Sequence, residues 1–285
     1  MPGGCLLFLN LVPRILAEIL AHVPTVAAQT FQWRELLSRS RPLFGRWNQP
    51  TPSLEDLNRL KTLFLPKSIQ VVAPGPLASQ FSTLDPAHDA MLVNTTTLTS
   101  SPELAKEAGN RLLLLYFMQL HQRAPLFLDL RERHFRWDPQ EESLLWRPNN
   151  LWIELEDGFV TALLQLYRGF YRGDPQLVKE CLPQLGLINP AHPKQAEQQA
   201  ELLTLLRDQF GEGAEAPVQF KLSEFNHSFI KLFDHFIHYK VRLHSDFIFL
   251  GLYLITLYEH LEKLGVPLDV KSAYLEATLA TEPGT

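Results

Sequence analysis

At 285 residues with 46% hydrophobic side chains, the chain can bury a full core without help from metals or disulfides. A net charge of −5 and a pI near 6 give no whole-molecule field that favours nucleic acid, so no nucleic-acid partner is expected. Two cysteines, Cys5 and Cys181, make no disulfide framework and fit a reducing compartment.

Residues 6–22 carry an amphipathic pattern with Pro13 inside it. The polar face is not basic, which favours a helix packed on its own domain over one lying on a membrane. Residues 30–37 continue in helical style, 41–52 read as a loop, and 54–64 as a helix capped by Ser53. Residues 69–72 and 91–93 read as strands, with 74–88 as a loop between them. No apolar stretch reaches the roughly 20 residues that spanning a bilayer needs, and residues 1–4 carry no positive side chain of the secretory type. A cytoplasmic protein is expected, with peripheral membrane contact as the alternative for the first helix.

Ser100-Ser101-Pro102-Glu103 opens a helix to about Gln122, by a serine cap, an early proline and an early carboxylate. Residues 112–117 are apolar all round, which predicts a central buried helix. Residues 126–130 form a strand-like run. Residues 134–137 and 143–146 flank Asp138-Pro139-Gln140-Glu141-Glu142, a polar turn, and together predict a β-hairpin packed on the preceding helix. From Phe159 to Gly173 the spacing is helical. Asp174-Pro175 caps a further helix, and helices at 194–210, 223–239 and 245–264 (Ser245 as cap) follow, with a last one from about Lys271. The fold class expected is mainly α (α+β), with residues 1–99 as a helical region with remnant strands and 100–285 as the main helical domain.

Three stretches resemble the AarF/UbiB family of atypical kinase-like proteins. They are the helix, loop and hairpin of 112–146; LYRGFYRGDPQLVKECLPQLGLI (166–188), similar to that family's helix, Gly-Asp, helix and Leu-Gly order; and YKVRLHSDFIFLGLYLITLYEHLEKLGVPLDV (239–270), similar to its C-terminal helix. With them as its anchors, the resemblance extends over residues 69 to 270, about two thirds of the chain. The resemblance implies a body like a kinase C-lobe, with the small N-lobe reduced or absent, and a setting in isoprenoid quinone or lipid metabolism.

The residues of kinase chemistry depart from the family pattern. Where the family has Asp-Pro-x-x-x-Asn, this chain has Asp129-Leu130-Arg131-Glu132-Arg133-His134, so Asp129 matches and His134 stands at the Asn position. Hard Mg²⁺ prefers oxygen to imidazole nitrogen. The second metal-binding Asp falls at Pro148, or at Trp152 with a later gap; neither binds a cation. Glu154, Glu156 and Asp157 are the candidates for a displaced carboxylate. No counterpart of the family's Lys-x-Gly-Gln motif or nucleotide loop occurs. The resemblance thus implies a degenerate pseudokinase that binds a protein partner, with lipid contact as a further option, a vestigial Asp129, and at most weak ATP binding. A residual ATPase or kinase using Asp129 is the first alternative.

Arg131, Arg133, His134 and Arg136 place positive charge on the loop and hairpin, as an anion or partner patch or as a solvated face paired with Glu132, Glu141 and Glu142. Glu224, His227, Asp234 and His238 lie along one face of a helix, and Glu-x-x-His is a di-iron spacing. That makes a helical metalloenzyme the second alternative. The second helix such a site needs is represented only by Glu259 and Glu262 around His260, at the wrong spacing, so no metal is expected.

Overall fold

The computed structural model describes residues 69–71, 96–146, 152–210 and 217–281. All of them belong to one compact unit, Gln49–Thr285. The helices expected at 6–22, 30–37 and 54–64, the strand at 91–93, and Pro148 lie outside the described residues. The described elements are β1 (Ile69–Val71), α1 (Pro102–His121), β2 (Leu126–Phe127), β3 (Phe135–Asp138), β4 (Ser143–Trp146), β5 (Trp152–Ile153), α2 (Asp157–Arg172), α3 (Pro175–Cys181), α4 (Gln195–Phe210), α5 (Leu222–His238), α6 (Ser245–Leu264) and α7 (Val270–Thr281). The protein is mainly helical with a small β-hairpin, the class expected from its sequence. Among the described residues, no helix is long and apolar enough to cross a membrane.

Helix α1 is the axis of the core. Ser101 caps it by accepting from the Leu104 amide at 3.1 Å, and Leu112 to Leu120 are buried without a break. A helix that is apolar all round needs neighbours on every side. On one side α7 packs against it, and Leu268, just before α7, comes so close that a Cβ on Gly109 would sit 2.6 Å from it. On the others, the Tyr116 and Tyr167 hydroxyls meet at 2.6 Å, and Tyr253 of α6 donates to Gln119 at 2.6 Å. The polar atoms of these large rings are thereby satisfied while the rings fill the core.

The hairpin forms where the turn predicts it. Asp138 Oδ1 accepts from the Gln140 and Glu141 amides, an Asx-type closure, and β3 pairs with β4 from Phe135↔Trp146 to Asp138↔Ser143. Arg111 of α1 stacks 4.6 Å over the Trp137 ring and donates to the Glu142 carbonyl, which fastens the hairpin to α1. Strand β1 does not form a separate remnant sheet. It adds to the hairpin in parallel, Ile69↔Leu144 to Val71↔Trp146, so the sheet draws on chain from both sides of Ser100. Strand β2 is shorter than the apolar run that announced it. It pairs with β5 only through Leu126↔Ile153 and Phe127↔Trp152, because the backbone of 128–130 is bonded by side chains of α6.

Gly173 ends α2 in the left-handed region (φ 69°), with the Asp174 amide returning to Gly169 O at 2.7 Å. Asp174 then caps α3 through the Gln176 and Leu177 amides. The cap of α6 is His244, whose Nδ1 accepts from the Asp246 amide at 3.2 Å, and not Ser245 one residue on. Imidazole nitrogen can fill this role as well as a hydroxyl, which hydropathy spacing cannot reveal.

Leu114 and Leu250 are 7% and 4% exposed. Truncating either to alanine should cost about 2–5 kcal/mol, by lost burial plus the void left behind, and lower the melting temperature by several degrees. Calorimetric melting of the two variants checks this. An unchanged melting temperature for Leu250→Ala would remove α6 from the core.

Candidate functional site around Asp129

The loop between β2 and β3 carries the residues singled out from the sequence. Helix α6 holds its backbone: Thr256 Oγ1 accepts from the Leu130 amide at 3.1 Å and reaches Leu128 O at 3.2 Å, while His260 Nδ1 lies 2.8 Å from Leu130 O. The carbonyl can only accept, so Nδ1 carries the proton, and the other ring nitrogen, Nε2, is buried without a partner. Burial pushes the imidazole down to about 4, so it is neutral at pH 7.

Asp129, fixed between these backbone contacts, is 1% exposed. Arg131 grips it with two parallel bonds, Nε to Oδ1 and Nη2 to Oδ2, both 2.8 Å, and adds its own amide at 3.2 Å. Arg133 Nη2 donates to Oδ2 at 2.6 Å. His134 Nε2 lies 3.1 Å from Oδ2 and also 3.1 Å from Arg133 Nε. One nitrogen cannot donate to the first and accept from the second at once, so it serves one or the other. Burial alone would raise the Asp129 pKa, but the hydrogen bonds and charges of Arg131 and His134 hold the carboxyl well below the usual carboxylate range. The result is a buried carboxylate with its lone pairs taken.

Three of the four residues of the expected positive patch therefore converge on Asp129. A desolvated carboxylate needs charge and hydrogen bonds close by, and a 3₁₀ turn over Glu132–His134, closed by the His134 amide on Arg131 O, brings Arg133 and His134 back to it beside Arg131. The sequence reading named the cations and missed this partner. Arg136 alone turns outward, its Nη1 returning to Phe135 O.

No family model matches the chain, and no curated protein matches it.

The candidates for a displaced carboxylate are exposed. Asp157 pairs with Arg123 at 2.8 Å, and the Glu156 carboxylate lies 3.4 Å from His244. The Glu156 amide donates at 2.6 Å to Asp246, a fully buried carboxylate at the start of α6 that sequence reasoning passed over. The metal candidates Glu224, His227, Asp234 and His238 sit on the exposed side of α5, with Glu224 paired to Lys221 at 2.7 Å. Among the described residues, no three His, Cys, Asp or Glu side chains gather to hold a metal ion. Thr256 and His260, four residues apart on the buried face of α6, were the legible signal for the loop contact.

Asp129→Asn should destabilise the fold by about 2–4 kcal/mol, since it leaves the half-buried Arg131 against a neutral amide. Arg133→Gln, at a side chain 58% exposed, should cost far less. Urea denaturation of the pair tests the ranking. His260 supplies the pH dependence. Its folded pKa lies below the unfolded value near 6.5, so its contribution is fully present above 6.5 and lost as the pH falls towards 4, on the order of 3 kcal/mol in all. His260→Leu should be weaker at pH 7 but show a smaller loss across that window.

Proposed function

We propose that this chain is a degenerate, AarF/UbiB-like pseudokinase that works by binding, as a scaffold for a protein partner, in the setting of isoprenoid quinone or lipid metabolism. The observation that carries this reading is the engagement of Asp129. An acceptor-orienting carboxylate has to offer a lone pair to a substrate hydroxyl. Here both oxygens are committed to Arg131 and Arg133, at 1% exposure. The order of elements adds support: a buried helix, a short strand, the Asp129 loop, a hairpin, a second short strand, then helices. His134 at the Asn position, and Pro148 or Trp152 at the second Asp position, take away oxygen ligands for Mg²⁺.

On this reading the outward-facing Arg136 and the exposed guanidinium of Arg133 belong to the binding face, and any ATP binding is weak and indifferent to magnesium. Titration calorimetry with ATP, with and without Mg²⁺, tests it. Absent or millimolar binding that Mg²⁺ does not strengthen is expected. Micromolar binding that requires Mg²⁺ would overturn the proposal and favour a residual kinase.

A further inference from the structure

The helix that carries the candidate metal residues is more informative on its other side. His235 of α5 is buried, its side chain 3% exposed, and faces Glu201 of α4, whose Oε2 lies 3.4 Å from Nδ1. Neither ring nitrogen makes a well-formed hydrogen bond, and the same holds for the Tyr239 hydroxyl and the Gln198 side-chain nitrogen, on residues 1% and 0% exposed, with Glu201 the polar neighbour of both rings. The four atoms belong to one contact. The rings of His235 and Tyr239 are 4.7 Å apart, Gln198 precedes Glu201 by one turn, and Asn189 ties Gln198 to the Tyr239 carbonyl. Several buried polar groups without well-formed bonds in one place make this an incompletely satisfied contact.

The contact is also thin. Among the described side chains of α4 only Gln198, Leu202 and Leu206 are buried. Beside it, Leu206 of α4 and Leu232 of α5 border an apolar cavity of about 40 Å³ together with Leu185 and Leu187. A helix held by one narrow stripe over an imperfectly filled contact is the kind of element that opens before the rest of a domain.

We propose that the His235–Glu201–Tyr239 cluster is an acid-sensitive latch, which holds α4 on α5 while His235 is neutral and releases it when His235 takes up a proton. The charged and titratable groups around the ring are Glu201 and Glu197 from α4, His238 and Tyr239 from the end of α5, and His192, whose ring meets Tyr239 at 5.1 Å. Burial lowers the His235 pKa, Glu201 opposes that shift and His238 adds to it. Burial first, and Glu201 after it, push the Tyr239 phenol up to about 12, so it stays protonated. The closed contact therefore binds the proton more weakly than the open one, and its stability is present above the ordinary imidazole pKa and lost as the pH falls below it.

Backbone hydrogen exchange of the full chain, read as protection factors from about pH 7.5 to about 5, tests the latch. The amides of α4 should lose protection on acidification and exchange ahead of those of α1, whose protection falls only with the global stability that His260 makes pH-dependent. His235→Gln should flatten the response of α4. Glu201→Gln, which removes the group opposing the burial effect, should steepen it. If α4 protection is independent of pH in the unsubstituted protein, or falls equally in His235→Gln, the latch is refuted. Should His235→Gln fail to fold, Glu201→Gln decides alone: a steeper loss sustains the proposal and an unchanged one overturns it.

Discussion

A carboxylate removed from water is the constraint that organises this structure. Taking Asp129 to 1% exposure costs several kcal/mol unless opposite charge and donors surround it. The chain supplies them from the next five residues, Arg131, Arg133 and His134, so the compensation is local in sequence. What is not local is the loop's position. Thr256 and His260 reach it from α6, and α6 is itself placed by Tyr253 on Gln119 of α1. The loop, the central helix and α6 thus form one mechanical unit. The hairpin joins it through Arg111 on Trp137 and through Phe135, whose ring lies 5.2 Å from that of His260.

The same arrangement explains why the chemistry of the loop reads as structural. Carboxylates that act on substrates keep at least one lone pair accessible and a pKa suited to the working pH. Asp129 has its lone pairs satisfied and its proton affinity driven far down. His260 is held neutral with one nitrogen spent on a carbonyl. Each group is tuned by its surroundings, yet the tuning favours a fixed loop over a reactive one.

Much of the fold was legible because it follows from short-range rules. The Ser101 cap, the Asp138-Pro139 turn, the Gly173 stop and the Asp174 cap each announce themselves within four residues, and the structure places each where the spacing does. Periodicity also identified Leu112 to Phe117 as core. It could not say which neighbour covers a face, so the parallel pairing of Ile69–Val71 with Ser143–Trp146 had no sequence signal. The candidate site divides in the same way. The cations at 131, 133 and 134 were visible as a cluster, but their convergence on Asp129 depends on the 3₁₀ turn of Glu132–His134. On α5, Glu224, His227, Asp234 and His238 form a regular polar face that is exposed. The isolated His235, out of step with that face, is the buried one.

The bonds from Thr256 and His260 to Leu130 join residues 126 and 130 positions apart. A chain made from its N-terminus at about 5–20 residues per second therefore exposes the Asp129 loop roughly 6 to 25 seconds before the helix that clasps it exists. During that interval Asp129 and its arginines form at best a solvated cluster, and α1, with its unbroken apolar surface, has neither α6 nor α7 to cover it. The site is thus a late product of folding, completed by the C-terminal part of the chain. A nascent or truncated chain that stops short of α6 presents a sticky central helix to its surroundings, a natural target for chaperones or for aggregation.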